Sequence, residues 1–312
     1  MRYLARSAPA PDRPVAAAWS WRLEWLPPQS FFLVSAVFHY LGPSFAVLLF
    51  ARVSVLGVTW LRIVTAAVVF ALWRRPWRAA LRLDRNRRWV LAALGGVLAA
   101  MNTLFYLAVD RLPLATVGAI EFLGIVLLAA LGARSRRNSA ALALAVAGVA
   151  TITGIRLAGQ PLGFAFAFGN CALFMLYVIL GHKIANTGTA VPGGEMMSGI
   201  DQLGAAMLVA AVIITPAGLG GALRALSSPL LLLAGAGVGV CASVIPYVSD
   251  QLAMARLPRA AFALMLALLP AFATLIGAVV LRQIPATREL AGIALVMAGV
   301  AVHQVPSRPV PE

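Results

Sequence analysis

The chain has 312 residues, of which 62% are hydrophobic and 11% charged, with a formal net charge of +15 at pH 7. Soluble domains carry about 25% charged residues, so the composition excludes a soluble single core and specifies a polytopic helical membrane protein. The basic excess is almost wholly arginine, with Lys183 the only lysine. It clusters at the ends of apolar runs, which marks membrane topology and not nucleic-acid binding.

Residues 1–30 read as a cytoplasmic tail. Arg2, Arg6, Pro9, Pro11, Asp12, Arg13 and Pro14 form a polar stretch with no apolar core or cleavage pattern. Residues 16–26 carry Trp19, Trp21 and Trp25 and suit a short amphipathic helix at the membrane interface. Ten apolar runs follow, over 31–51, 54–73, 89–109, 114–133, 139–155, 162–181, 196–216, 230–250, 260–281 and 290–305. At 1.5 Å per residue each suits a membrane-crossing helix. Residues 306–312 close the chain as a second cytoplasmic tail.

The arginines orient these spans. Arg74, Arg75, Arg78, Arg82, Arg85, Arg87 and Arg88 follow the second run, and Arg134, Arg136 and Arg137 follow the fourth. The alternate loops hold only Arg52, Arg111, Arg156, Arg224, Arg282 and Arg288. Positive charge stays inside, so both termini are predicted to be cytoplasmic.

The chain also repeats itself. Ala108-Val-Asp-Arg111-Leu112-Pro113-Leu-Ala115 recurs as Ala253-Met-Ala-Arg256-Leu257-Pro258-Arg-Ala260, and Gly132-Ala133 recurs as Gly277-Ala278. Ala147-Gly148-Val149-Ala150 matches Ala298-Gly299-Val300-Ala301. The fold class predicted is all-α, with ten transmembrane helices in two five-helix repeats, 31–155 and 162–305. An odd number of spans per copy inverts the second, a construction common in transporters with a midplane substrate site.

Polar residues inside apolar runs are the candidate functional groups, because burying them in lipid is costly. Glu121 is the foremost, about 10 Å below the external end of its span. Asn102 lies at a similar depth across the Arg111-Leu112 turn, with Tyr106 one turn above it and Arg62 about 12 Å into the second span. Glu121 can pair an ammonium or cycle a proton; alternatively it pairs Arg62 to orient two helices. His39 precedes Gly42-Pro43, where a kink is expected, and suits substrate contact, proton relay or packing. Asn170 and Tyr177 in the sixth span, and Ser243 and Tyr247 in the eighth, read as further ligands or as interhelical glue. Asp201 falls in the cytoplasmic half of the seventh span, as an inner gate, an ion-coupling site or an interfacial group. Asp250 and Glu195 read as solvated span ends, and Cys171 and Cys241 as packing residues. No Cys/His metal spacing, cofactor loop, nucleophile motif or ATP-binding motif occurs, so the expected work draws on a gradient and needs no cofactor, metal or nucleic acid.

Met101-Asn102-Thr-Leu104-Phe105-Tyr106-Leu107-Ala108, then Leu112-Pro113-Leu114, then Ala119-Ile-Glu121-Phe122-Leu-Gly124 resembles the threonine/homoserine exporter family of the drug/metabolite transporter superfamily, built from EamA-type domains. Gly57-Val58-Thr59-Trp-Leu61-Arg62 with Arg75-Pro76-Trp77-Arg78 fits the same family. The resemblance implies a ten-helix secondary transporter with a central cavity that exports small amino acids from bacteria. Three departures stand out: Ile125 where proline is frequent, Leu269 before Pro270 where glutamate is common, and Arg282-Gln283 in place of Gly-Glu. Leu266 occupies the position aligned with Glu121, so the second half lacks its carboxylates. Efflux of hydrophobic cations is the competing transporter reading, against which the few aromatics expected in the cavity argue. A membrane enzyme or receptor lacks a catalytic pair or signalling module.

Overall fold

The computed structural model describes residues 27–132, 135–156, 160–186, 197–254, 265–266 and 268–302. The expected interfacial helix at 16–26, Glu195, the Arg256-Leu257-Pro258 copy and the tail at 306–312 lie outside the described residues. The described elements are all helical: α1 Pro28–Leu49, α2 Val55–Arg74, α3 Trp77–Ala80, α4 Arg85–Val109, α5 Leu114–Gly132, α6 Arg136–Arg156, α7 Pro161–Asn186, α8 Gly199–Leu226, α9 Pro229–Gly239, a π turn Val240–Val244, α10 Ile245–Met254, α11 Leu269–Leu281 and α12 Thr287–Val302. Six segments are long and apolar enough to cross a membrane: Gln29–Leu49, Val55–Arg74, Arg85–Val109, Pro161–Leu180, Gly199–Leu226 and Pro229–Asp250. Leu114–Leu128 and Leu269–Leu281 are shorter apolar helices. The chain is therefore a multi-pass membrane protein.

Helix starts follow local chemistry. α1 opens with Pro28 in its first turn, where the missing N–H costs nothing. Ser54 caps α2 by accepting from Gly57 N at 3.2 Å, Asp84 caps α4 through Arg87 N at 2.7 Å, and Ser198 caps α8 through Asp201 N at 3.1 Å. α2 ends where Arg75 turns left-handed, with φ 49°. Arg282, with φ 55°, ends α11 in the same way, and the neighbouring Gln283 side chain accepts from Leu114 N at 3.0 Å. The Arg282-Gln283 departure thus has a structural use: it caps α5, the helix that carries Glu121.

Packing rests on helices brought close by small residues. α2 and α8 run antiparallel along their lengths. A β-carbon on Gly57 would lie 2.4 Å from Gly221, Trp60 Nε1 donates to Thr215 Oγ1 at 2.9 Å, and Arg74 meets Asp201 at the other end. α6 and α12 are also antiparallel, since a β-carbon on Gly148 would lie 2.5 Å from Gly292 O and one on Gly299 2.7 Å from Ala141 O. Such approaches leave no room for a side chain and give the van der Waals contact on which helices in lipid associate.

α1 continues as helix through Pro43, with Ser44 Oγ donating to the Tyr40 carbonyl at 2.9 Å. It crosses the π turn at Gly42, where a β-carbon would sit 2.5 Å from Ala242. α8 likewise continues through Pro216 to Leu226, ten residues past the expected end of its span, because lipid-facing and loop-facing apolar residues are indistinguishable in composition.

Candidate functional site

A buried cavity of about 40 Å³ opens among α1, α2, α4, α5, α7 and α10. Seven of the eight residues expected at the substrate site line it: His39, Arg62, Asn102, Glu121, Asn170, Tyr177 and Tyr247. They come from segments up to 208 residues apart (247 − 39).

Glu121 is only 6% exposed. Asn170 Nδ2 donates to its Oε1 at 3.3 Å, and among the described residues Oε2 has no hydrogen-bond partner. Asn170 is itself fully buried with Oδ1 unpartnered. Buried polar atoms left this way are uncommon and call for an explanation. Here they belong to residues that line the cavity. Gly118, one turn before Glu121, makes room for Tyr40: a β-carbon there would lie 3.1 Å from the Tyr40 hydroxyl, which also lacks a hydrogen-bond partner.

Arg62 is anchored from across the protein. Its Nε donates to Ser243 Oγ at 3.0 Å and its Nη2 to the Ala242 carbonyl at 3.0 Å, both in the π turn. π turns interrupt the regular i→i+4 ladder and recur at functional sites; this one presents a carbonyl and a hydroxyl to the guanidinium. The Tyr106 ring lies beneath it, 5.0 Å from the guanidinium carbon. Tyr106 is thus a support for Arg62 and not a lining residue, because its ring packs between Phe50 and Phe105. Arg62 and Glu121 share the cavity without forming an ion pair.

The remaining lining comes from Pro43, Met101, Phe105 and Phe174, with Phe174 and Tyr177 stacked at 6.1 Å. The sequence marked Pro43 only as a kink and Met101 and Phe105 only as parts of the family motif, and it did not mark Phe174 at all, because apolar residues in apolar spans look alike. Phe174 and Tyr177 do share a helical stripe with Asn170, at i+4 and i+7, which was the available signal. Four aromatic side chains line the space, against the expectation of few.

Asp201 stands elsewhere. Arg74 Nε lies 2.8 Å from its Oδ1 and Arg74 Nη2 3.0 Å from its Oδ2, while Ser198 Oγ donates to Oδ2 at 2.7 Å. It borders a separate arginine-rich cleft. Asp250, expected to be solvated, is half-buried on α10, because α10 packs against α1. Cys171 is buried against Gly124 and Cys241 half-buried, both free thiols. Among the described residues no cluster of His, Cys, Asp or Glu could hold a metal ion.

No protein-family model matches the chain. A protein of known crystal structure shares its fold, aligning with 88% of this chain and 96% of its own length at TM-score 0.57 and 20% identity. The chain is similar to the threonine/homoserine exporter RhtA of Salmonella typhimurium strain SL1344, at 30% identity over 248 residues, 78% of this chain and 79% of the relative. It is similar to RhtA of Escherichia coli K12 at 29% over 263 residues, 82% and 84% of the two chains. Similarity of that extent places it in one lineage: the chain belongs to the RhtA threonine/homoserine exporter family.

Proposed function

We propose that this protein is a secondary exporter of small amino acids, threonine- or homoserine-like, in the bacterial inner membrane. One observation carries the reading: one carboxylate and one guanidinium, Glu121 and Arg62, line the same cavity without neutralising each other. An amino acid brings the complementary pair. Its ammonium pairs with Glu121 Oε2 and its carboxylate with Arg62, each a charge-assisted bond in a site of low dielectric. Asn102, Asn170, Tyr177, Tyr247 and His39 supply the hydrogen-bonding partners that a side-chain hydroxyl requires. Tyr106 holds the guanidinium in place. When the substrate leaves, Glu121 exchanges the ammonium for a proton, which couples export to the proton gradient.

Ten helices in two inverted five-helix repeats, 31–155 and 162–305, with both termini cytoplasmic, form the transporting unit. Two features support this arrangement. The second and seventh spans, α2 and α8, pair antiparallel, as do the fifth and tenth, α6 and α12. Helices related by an axis in the membrane plane must run in opposite directions. At about 40 Å³ the cavity takes roughly one or two waters, so an amino acid enters only when the helices part. The Gly42-Pro43 segment and the π turn facing it offer the hinge, since both lack regular backbone bonds. The Arg74–Asp201 pair ties the inner ends of the second and seventh spans together.

The aromatic lining favours a second reading, efflux of hydrophobic cations held over ring faces. Arg62 opposes it by placing a like charge in the same space. Transport into proteoliposomes, screened with labelled threonine, homoserine and organic cations with and without a proton gradient, separates the two. Gradient-dependent amino-acid transport is expected; cation transport without it overturns the amino-acid assignment.

A further inference from the structure

At the end of α2 a second cleft, about 260 Å³ in volume, is lined by Arg74, Arg75, Pro76, Arg78, Ala79, Arg82 and Asp201. It lies outside the transport cavity and shares no residue with it. We propose that this cleft is a binding site for the phosphodiester headgroup of an anionic phospholipid.

The chain builds the cleft deliberately. Arg75 adopts the left-handed conformation that ends α2 and reverses the chain into α3. Pro76 is buried on α8, where a β-carbon on Gly204 would lie 3.2 Å from its ring. That contact fixes α3 against the bundle, and Arg78 on α3 and Arg82 in the turn after it both line the cleft. Arg74 is engaged by Asp201. Arg75, Arg78 and Arg82 are exposed and, among the described residues, have no ion-pair partner. Four arginines against one aspartate leave the cleft with an excess of three positive charges.

Topology needs only charge on a loop; it does not need a concave site. The surroundings point to lipid as the source of the anion. Trp73, Trp77 and Leu81, each next in sequence to one of these arginines, expose 50%, 39% and 69% of their surface. Tryptophan at that position marks the membrane–water boundary. A free phosphate meets only the guanidinium groups. A phospholipid also lays its acyl chains along the exposed Trp77 and Leu81. Guanidinium forks suit a phosphodiester in geometry as well as charge, and the arginine distribution predicts this face to be the cytoplasmic one.

The full chain in a neutral detergent, titrated with short-chain phosphatidylglycerol, phosphatidylcholine or inorganic phosphate while thermal stability is followed, tests the site. Phosphatidylglycerol should raise the melting temperature saturably, and the other two should not. Replacing Arg75, Arg78 and Arg82 together with Gln should weaken the apparent phosphatidylglycerol affinity roughly a hundredfold, and Arg78→Gln alone about fivefold. Arg85→Gln with Arg88→Gln, which removes two charges outside the cleft, should leave it unchanged. An equal response to phosphate overturns the lipid assignment, as does an equal response to phosphatidylcholine. Equal loss in the two multiple variants assigns the effect to diffuse surface charge and overturns the cleft. Should the triple variant fail to fold, Arg78→Gln and Arg82→Gln singly decide between the same outcomes.

Discussion

Two arginines of α2 each stand near a carboxylate of another helix and meet opposite fates. Arg74, near the end of the helix, is closed on Asp201 through two hydrogen bonds of 2.8 and 3.0 Å, with side chains 25% and 17% exposed. Arg62, three turns earlier, shares a buried cavity with Glu121 and yet is bonded to Ser243 and Ala242 instead. The first pair satisfies itself and joins two helices. The second keeps its charges apart by giving each a different neutral partner, at the cost of an unmet oxygen on Glu121. The closed pair fastens two helices; the pair held open is, on the proposed function, the receptor.

The sharpest way to break this contrast is Glu121→Gln, which keeps the shape and removes the charge. Losing a charge-assisted bond costs about 1.5–3 kcal/mol, so export should fall roughly ten- to a hundredfold while membrane insertion and fold are retained; normal efflux from preloaded vesicles would sink the receptor reading. Arg62→Lys should come next. It preserves charge but cannot reach Ser243, Ala242 and a carboxylate together, and export should drop about tenfold, mainly through weaker substrate affinity measured as KM. Ser243→Ala touches no substrate. It removes one of the two anchors of Arg62, worth about 1 kcal/mol, and a severalfold rise in KM with unchanged maximal rate is the expected signature. Asp201→Asn should matter least for transport, with export within about threefold and stability lower by about 1 kcal/mol. A loss of export as large as that of Glu121→Gln would show that the fastener is a coupling site after all.

Much of the cavity lining could be read from residues alone, because a carboxylate, an asparagine or a guanidinium inside an apolar run has few places to go. Helical spacing brought Asn102, Glu121 and Arg62 to one depth without any coordinates. The partners of Arg62 could not be read that way. Its two anchors lie 181 and 180 residues further along the chain, in a π turn whose sequence, Val-Cys-Ala-Ser-Val, carries no distinctive signature. Tyr106 was assigned to the lining because i,i+4 spacing gives a face; rotation about that face, set by Phe50 and Phe105, put its ring under Arg62 instead. Asp201 and Asp250 show the limit of depth reckoning. Distance from a span end fixes how far a group lies from water along the helix, and it says nothing of which neighbouring helix covers it. The six clearly spanning helices were legible from hydrophobic length.

The reach from Arg62 to Ser243 also sets a timetable for synthesis. A ribosome adding about 5–20 residues per second needs roughly ten to forty seconds between making the guanidinium and making its anchor, 181 residues later. Glu121 waits for Asn170 across only 49 residues, a few seconds at the same pace. Throughout the longer interval the nascent chain holds an arginine in lipid at a penalty of about 2.5–3.5 kcal/mol. A chain interrupted before the π turn therefore carries a lasting mark of incompleteness within the bilayer, one that membrane quality control can recognise and a finished chain does not display.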